Sequence, residues 1–355
     1  MKIKKLTLLN FRNYKNEEFI FNENVNVIYG KNGQGKTNVL EALYFFCNGR
    51  SFRALKEKEV IKKEEEKAKI ILDFSSEKRT IKSEIEIENT KIIKVNGIPI
   101  TKLSELIGYF KAIMFTPDML SLIKEGPSKR RNFTDNFISV IYPVYFKSLV
   151  NYYKVLKQKN NALKLKNADD NMLKVWNMSL AKYGSIVCKY RKYIIEKINP
   201  YIKKYQKEMS LDKEELEIRY NPSIKGNCDD ENHFLSVLDK NIEREKEMGF
   251  SLIGPHRDDF DFYINNMEMK LYASQGQIRT AVLSLILSES DIINEIFNEK
   301  PVILLDDIMS ELDKERRMYL LSKIKDKQVI ITCTDKENFS DAKFFHIQNG
   351  KIVKN

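Results

Sequence analysis

Val25-Asn26-Val27-Ile28-Tyr29-Gly30-Lys31-Asn32-Gly33-Gln34-Gly35-Lys36-Thr37 is the stretch on which the fold turns. Its first five residues alternate as a half-buried strand does and run straight into glycine. The eight residues from Gly30 fit G-x-x-x-x-G-K-[ST], a turn whose backbone amides wrap a polyphosphate. Lys36 then reaches the outer phosphates and Thr37 presents its hydroxyl to Mg²⁺. Glycine is needed because a Cβ would block the close approach of backbone to phosphate. Beyond the turn, Val39, Leu40, Leu43, Tyr44 and Phe46 recur at helical spacing, with Asn48-Gly49 as a stop, which predicts a helix over 37–46. Strand, glycine loop and helix stand in the order a nucleotide site requires. ATP with Mg²⁺ is the expected ligand, and Gly30, Lys31, Asn32, Gly33, Gln34, Gly35, Lys36 and Thr37 are its expected holders.

The second half of such a site lies far along the chain. Pro301-Val302-Ile303-Leu304-Leu305-Asp306-Asp307 is an apolar run closed by two carboxylates. A buried parallel strand presents acids in this way at its C-terminal edge. Asp306 suits a water-mediated Mg²⁺ contact, and Asp307 suits positioning or activating the attacking water, with Lys36 as the other catalytic group. An ordinary core strand meeting a polar loop has the same look. Ser274-Gln275-Gly276-Gln277 precedes a strongly apolar segment. It offers a hydroxyl, unshielded amides and the positive end of a helix dipole to a γ-phosphate, or it is a plain N-cap. Ser310-Glu311-Leu312-Asp313 and Ile330-Ile331-Thr332-Cys333-Thr334-Asp335 follow.

The chain has 355 residues, 42% hydrophobic and 31% charged, enough for one large or two medium domains with real cores. No apolar run approaches the ~18 residues of a membrane span, and the basic start breaks off before a signal-peptide core forms. A cytoplasmic protein with no membrane partner is expected. Cys47, Cys188, Cys228 and Cys333 lack the spacing of a zinc site or a disulfide scaffold and read as reduced structural thiols. The net charge of +11 favours polyanions, although a lysine-rich genome composition would give the same excess. Residues 68–100 read as a small antiparallel sheet turning at Asn96-Gly97. From about Leu120 to Ser210 long amphipathic segments take over, with Leu173, Trp176, Leu180, Tyr183, Val187 and Tyr190 as one apolar stripe. Asn221 to Asp230 reads as a loop and strand character returns near Phe250. The last third reads helix (275–297), strand (302–305), helix (314–325), strand (329–332).

The order of these motifs is similar to that of ABC-type ATPases. That resemblance implies an α/β fold, an ABC-type P-loop ATPase head with an inserted mainly helical lobe. Residues 1–115 would form the N-terminal part of the ATPase lobe, 116–248 the inserted lobe, and 249–355 the C-terminal part. It also implies an ATP-dependent homodimer in which Ser274, Gly276 and Gln277 of one subunit cover the γ-phosphate held by the other, with Asp313 at the seam. Asp307 stands where Glu is usual and Thr334 where a switch His is usual, so slow hydrolysis is expected. A transporter's ATP-binding subunit is the alternative, but 276 positions separate Gly30 from Asp306, roughly twice the gap of a compact transporter domain. A nuclease reading lacks a separate acidic cluster for a two-metal centre.

Further strings narrow the resemblance to the RecF family of DNA replication and repair proteins. They are Asn10-Phe11-Arg12-Asn13-Tyr14, Asn38-Val39-Leu40-Glu41-Ala42, Gly49-Arg50-Ser51-Phe52-Arg53, Phe115-Thr116-Pro117-Asp118, Arg130-Arg131 and Gly254-Pro255-His256-Arg257-Asp258-Asp259. The resemblance implies a weak, DNA-stimulated ATPase that binds duplex DNA beside single-strand gaps and acts with RecR and RecO in RecA loading. It further implies Arg12 and Tyr14 near the adenine or ribose, unless they simply pack the first strand. Arg50, Arg53, Lys129, Arg130 and Arg131 are candidate DNA contacts, because guanidinium forks and ammonium groups match phosphate oxygens; each is equally an ion-pair candidate. His256 and Arg257 suit a structural hinge or a ligand contact.

Overall fold

In the computed structural model, residues 1–54, 56–76, 79–165, 169–336, 339 and 341–353 are described. The chain divides into two units, Met1–Ser121 with Arg279–Asn355, and Leu122–Ile278.

The first unit opens with β1 (Lys2–Phe11), β2 (Tyr14–Ile20), β3 (Val25–Tyr29) and α1 (Lys36–Asn48). It continues through β4 (Ala68–Ser76), β5 (Arg79–Ile87), β6 (Lys91–Val95), β7 (Ile98–Ile100), α2 (Leu103–Leu106) and β8 (Ala112–Phe115). The second unit holds α3 (Pro127–Ile141), α4 (Pro143–Lys164), α5 (Asp170–Ser210), β9 (Leu216–Asn221), α6 (Glu231–Lys240) and α7 (Ile242–Met248). It closes with β10 (Asp259–Ile264), β11 (Met267–Glu268) and α8 (Met269–Tyr272). α9 (Gln275–Phe297) leads back into the first unit, which ends with β12 (Val302–Asp306), α10 (Lys314–Ile324), β13 (Val329–Cys333), β14 (Lys343–Gln348) and β15 (Lys351–Val353).

Two six-stranded sheets make the first unit. One is antiparallel in the order β2-β1-β4-β5-β6-β7. Its strands bury alternate residues, as β4 does with Ala68, Ile70, Leu72 and Phe74, because only one face meets the core. Asn96 and Gly97 both have positive φ (49° and 81°), which is what a tight two-residue hairpin between β6 and β7 demands. The other sheet runs β15-β14-β3-β13-β12-β8 and is parallel except for β15. All five residues of β12 and of β13 are buried, the continuous apolar pattern of strands covered on both faces. One core joins the antiparallel sheet (Leu6, Leu8, Ile70, Ile85) to α1 (Val39, Leu43, Phe46) and to the parallel sheet (Ile28, Leu304, Ile330).

The second unit packs α3 to α7 with a three-stranded antiparallel sheet, β11-β10-β9. The expected stripe of α5 is there: Leu173, Leu180 and Val187 are buried, with Trp176, Tyr183 and Tyr190 half-buried. Strand structure begins at Asp259 rather than near Phe250, since Gly254, at φ 126°, and Pro255 open a short turn instead. All four cysteines are free and buried. No described helix is long and apolar enough to cross a membrane.

Candidate nucleotide site

β3 delivers the chain to Gly30, and the loop bends through positive φ at Gly30 (147°), Gly33 (77°) and Gly35 (113°) before α1 begins at Lys36. A Cβ on Gly30 would stand 2.4 Å from the Ile347 carbonyl oxygen, and one on Gly35 2.5 Å from Asn13 Nδ2. Glycine at these two places is therefore required by space as well as by φ. Lys36, almost wholly buried, donates to its own loop at Gly30 O (2.6 Å) and Lys31 O (3.2 Å).

The turn between β1 and β2 braces this loop from behind. Asn13 Nδ2 donates to Gln34 O (2.7 Å), Asn38 Nδ2 to Asn13 Oδ1 (2.9 Å), and the buried Tyr14 hydroxyl to Gly35 O (3.0 Å). Sequence reasoning missed this role for Asn13; three polar or aromatic residues in a turn beside a glycine loop were its only trace. Arg12 forms a two-pronged pair with the buried Glu41 of α1 (2.9 and 2.5 Å) and reaches Glu59 O (2.8 Å).

Strand order brings in the distant acids. β13 lies between β3 and β12, with Cys333 opposite Tyr29 and Thr332 opposite Asp306, so the C-terminal ends of all three strands share one edge. There Asp306 Oδ1 accepts from Thr37 Oγ1 (2.8 Å) and from Thr332 Oγ1 (2.7 Å). Asp307 N donates to Thr332 Oγ1 (2.9 Å), and the residue sits at φ 48°. Thr332 thus ties the two acids together, a part not foreseen, although a hydroxyl closing an apolar strand beside the acid-tipped one was a readable signal. Burial pushes the Asp307 carboxyl above its ordinary range; Lys36 opposes this, while Asp306 and Glu311 add to it.

These groups line a cavity of about 310 Å³. Its walls are the loop residues Asn32, Gly33, Gly35, Lys36 and Thr37, together with Asn38, Arg53, Asp306, Asp307 and Thr332. Among the described residues no cluster of three or more His, Cys, Asp or Glu is arranged to hold a metal. A hydroxyl beside a carboxylate is instead the sparse, hard-oxygen set that suits Mg²⁺ when it arrives with phosphate oxygens and water.

The other expected residues separate into distinct surroundings. In the second unit, Ser274 Oγ accepts from Gln277 N (3.3 Å), and Gln277 Oε1 accepts from Ser274 N (2.9 Å). This is a reciprocal cap on α9. The cap uses the Ser274 hydroxyl as acceptor and leaves its proton to be donated. Gly276 lies in the first turn of the same helix. In the first unit, Asp313 caps α10 through Arg316 N (2.9 Å) and pairs with the Arg316 guanidinium.

Of the expected DNA contacts, Arg53 is exposed, bonds Asn38 Oδ1 (3.1 Å) and faces the nucleotide cavity, while Arg50 is exposed. Lys129 pairs with Glu125 (3.3 Å) and Arg131 donates to Asp258 O (2.7 Å). Arg130 is corrected: only 3% exposed, it spends its fork on Asp259 (2.7 and 2.8 Å) and its remaining nitrogen on Glu125 O (2.6 Å). It is a structural residue, withdrawn from the DNA set. His256 and the residues around it form a structural hub. Tyr152 hydroxyl meets His256 Nδ1 (2.8 Å), and buried Asp258 accepts from Arg191 (2.9 Å), Tyr220 and Ser223 N (2.8 Å).

The family described as RecF/RecN/SMC N terminal domain matches residues 2–351. The DNA replication and repair protein RecF of Clostridium tetani is 43% identical over the whole of both chains. The chain belongs to the RecF family. RecF of Clostridium perfringens is 41% identical over 99% of each chain. The solved structure "recombination mediator protein RecF-ATP in RecFOR pathway" superposes with TM-score 0.91 at 38% identity, covering 100% of this chain and 97% of that one. The Smc head of Pyrococcus furiosus, 16% identical with TM-score 0.57, shares the fold alone. The RecF fold is that of an ABC-type ATPase head, as the order of glycine loop, signature turn and acid-tipped strand led one to expect.

Proposed function

We propose that this protein is an ATP-dependent DNA-binding protein of recombinational repair and replication restart. Two subunits close on ATP at duplex beside single-strand gaps and open after slow hydrolysis, so that the nucleotide acts as a timer through its different affinity for the two states. RecR and RecO are the expected partners, with RecA loading as the outcome. The observation that carries the reading is the meeting of Thr37, Asp306 and Thr332 beside Lys36 in one cavity.

In this reading the loop amides and Lys36 bind the β- and γ-phosphates. Thr37 and Asp306 would hold Mg²⁺, which neutralises charge on the phosphate oxygens. Asp307 orients the attacking water and takes its proton, and Ser274, Gly276 and Gln277 of a second subunit close the site from the γ-phosphate side. Residues 1–121 and 279–355 act as the two parts of the ATPase lobe, with 122–278 as the insert, so that 249–278, expected in the C-terminal part, goes with the insert instead. Arg53 belongs to the nucleotide rather than to DNA, since it faces the cavity. Membership of the RecF family leaves the transporter alternative without support.

The test is ATP turnover against protein concentration, with and without duplex DNA, at one moderate salt concentration. Specific activity that rises with protein concentration and with DNA is expected. Turnover indifferent to both would remove the shared site and the DNA role, leaving nucleotide binding alone.

A further inference from the structure

Between Glu125 and Asp169 the chain carries nine cations and a single acid, Asp135. Asp135 is buried and already accepts from Arg191 (2.8 and 3.0 Å), so it neutralises nothing at the surface. On α4 this imbalance becomes a face. The 22-residue helix has five lysines and no carboxylate. Lys159 turns inward, fully buried on Glu245 (2.5 Å) and Asn177 (2.6 Å). Lys147, Lys154, Lys157 and Lys164 are exposed, and among the described residues none of them makes an ion pair.

Helical geometry aligns these four within about 100° of arc and strings them over about 25 Å. Exposed Val150 and Asn161 lie on the same stripe. Elsewhere in this unit Lys203 and Lys207 reach Glu215, and Lys246 reaches Asp170 and Glu243. Exposed Lys174, Lys182, Lys189 and Lys204 of α5 make no ion pair among the described residues but share their helix with Asp170, Glu196 and Glu208. α4 differs in carrying its exposed lysines along one stripe with no carboxylate on the helix. Four unpaired charges in a row repel one another in the free protein, with Lys154 and Lys157 closer along the axis than a Debye length of about 8 Å. Such an array gains most from a polyanion laid along it.

We infer that the exposed lysine stripe of α4 is a contact face for the phosphate backbone of duplex DNA. The inference rests on the DNA-binding reading above and names residues for it. A stripe of about 25 Å matches the axial length of about seven base pairs. Flexible ammonium groups follow phosphates without reading bases. An acidic protein is the less favoured occupant, because an interface of that kind is organised around buried aromatic or arginine anchors, and between its lysines the stripe offers only Val150 and Asn161.

The test replaces Lys147, Lys154, Lys157 and Lys164 together by Gln in the full chain. Affinity for a short duplex, with ATP present, is then followed across salt concentrations. Binding at least tenfold weaker at moderate salt is expected, with the slope of log K against log salt reduced by up to about 3.5, near 0.9 for each phosphate that is no longer neutralised. ATP affinity and thermal midpoint should hold, and the four Lys→Arg replacements should retain binding. A charge-matched variant, Lys203, Lys204, Lys207 and Lys246 to Gln, should bind almost as wild type does. Equal losses in both Gln variants would make net charge the cause and overturn the stripe. Wild-type binding by the α4 variant would overturn it too, and loss of poly-glutamate capture alone would assign the face to an acidic protein. Wild-type protein that ignores duplex in the presence of ATP would instead sink the DNA reading itself.

Discussion

Thr37 and Asp306 stand 269 positions apart in the chain and 2.8 Å apart in the fold, hydroxyl to carboxylate. Both of the hydrogen bonds that Asp306 accepts here, from Thr37 and Thr332, fall on Oδ1, which leaves Oδ2 free of either hydroxyl. Asp306→Ala should therefore weaken ATP binding at least about tenfold, or ~1.4 kcal/mol, when Mg²⁺ is present. In EDTA its affinity should match wild type. A titration with a fluorescent nucleotide under both conditions checks this, and equal losses in the two would count against a metal contact.

Asp307 separates chemistry from binding. Asp307→Asn should cut turnover by about a hundredfold or more, the scale of a lost general base, while leaving ATP affinity intact and holding the ATP-bound dimer on DNA. Lys36→Ala should lose nucleotide binding. Because the Asp307 carboxyl is pushed up by burial, wild-type turnover should begin to fall, as pH is lowered, at a higher pH than an ordinary carboxylate would set. Turnover versus pH for wild type checks the sign.

Shared sites can be tested by mixing. Lys36→Ala and Ser274→Arg proteins should each be inactive alone, yet a 1:1 mixture should recover up to about a quarter of wild-type turnover. Half the dimers are then mixed, and each mixed dimer holds one intact composite site. No recovery in a mixture shown to dimerise would place Ser274 outside the partner's site.

Burial holds the His256 imidazole down to about 4, with Arg257 and Arg131 adding to the effect and the Ser251 carbonyl and Asp258 opposing it. Its folded value lies below the unfolded value near 6.5, so the unfolded chain binds the extra proton between the two. Stability should be complete above about pH 6.5 and fall toward pH 4, by up to roughly 3 kcal/mol from this residue. Urea unfolding at pH 7 and pH 4.5 should show a smaller pH-dependent loss in His256→Gln than in wild type.

Arg191 is fully buried between Asp135 and Asp258. Arg191→Met should destabilise the protein by about 3–5 kcal/mol, because two carboxylates are left without their cation. Adding Asp135→Asn should return part of that loss. Denaturant midpoints of the single and double variants measure it.

The sequence made plain those parts of the fold whose chemistry is local. The glycine loop, α1 and its Gly49 stop, the 96–97 hairpin and the acid-tipped β12 each declare themselves within a dozen residues. β8, β14 and β15 do not, since β8 and β15 are short strands at the sheet's edges and β14 is recognised only by lying between β15 and β3; β8 is fixed by β12 almost two hundred residues later. Arg130 misled for the same reason. An arginine beside another arginine looks like a cation for phosphate until Asp259, far along the chain, is seen to hold it. Thr332 went unremarked because its importance lies in register with Asp306 and not in its neighbours.

That sheet order also sets a timetable for biosynthesis. β3 carries the glycine loop, and its two neighbours in the sheet are β13 and β14, of which the earlier begins only at Val329. At about 5–20 residues per second, a growing chain spends roughly a quarter of a minute to a minute with that strand made and both its edges unpaired. The contiguous segment from Leu122 to Ile278 emerges whole in the interval. A nascent chain cut short between Thr37 and Val329 carries a whole glycine loop with neither neighbour strand beside it, a species for chaperones and proteases to meet first.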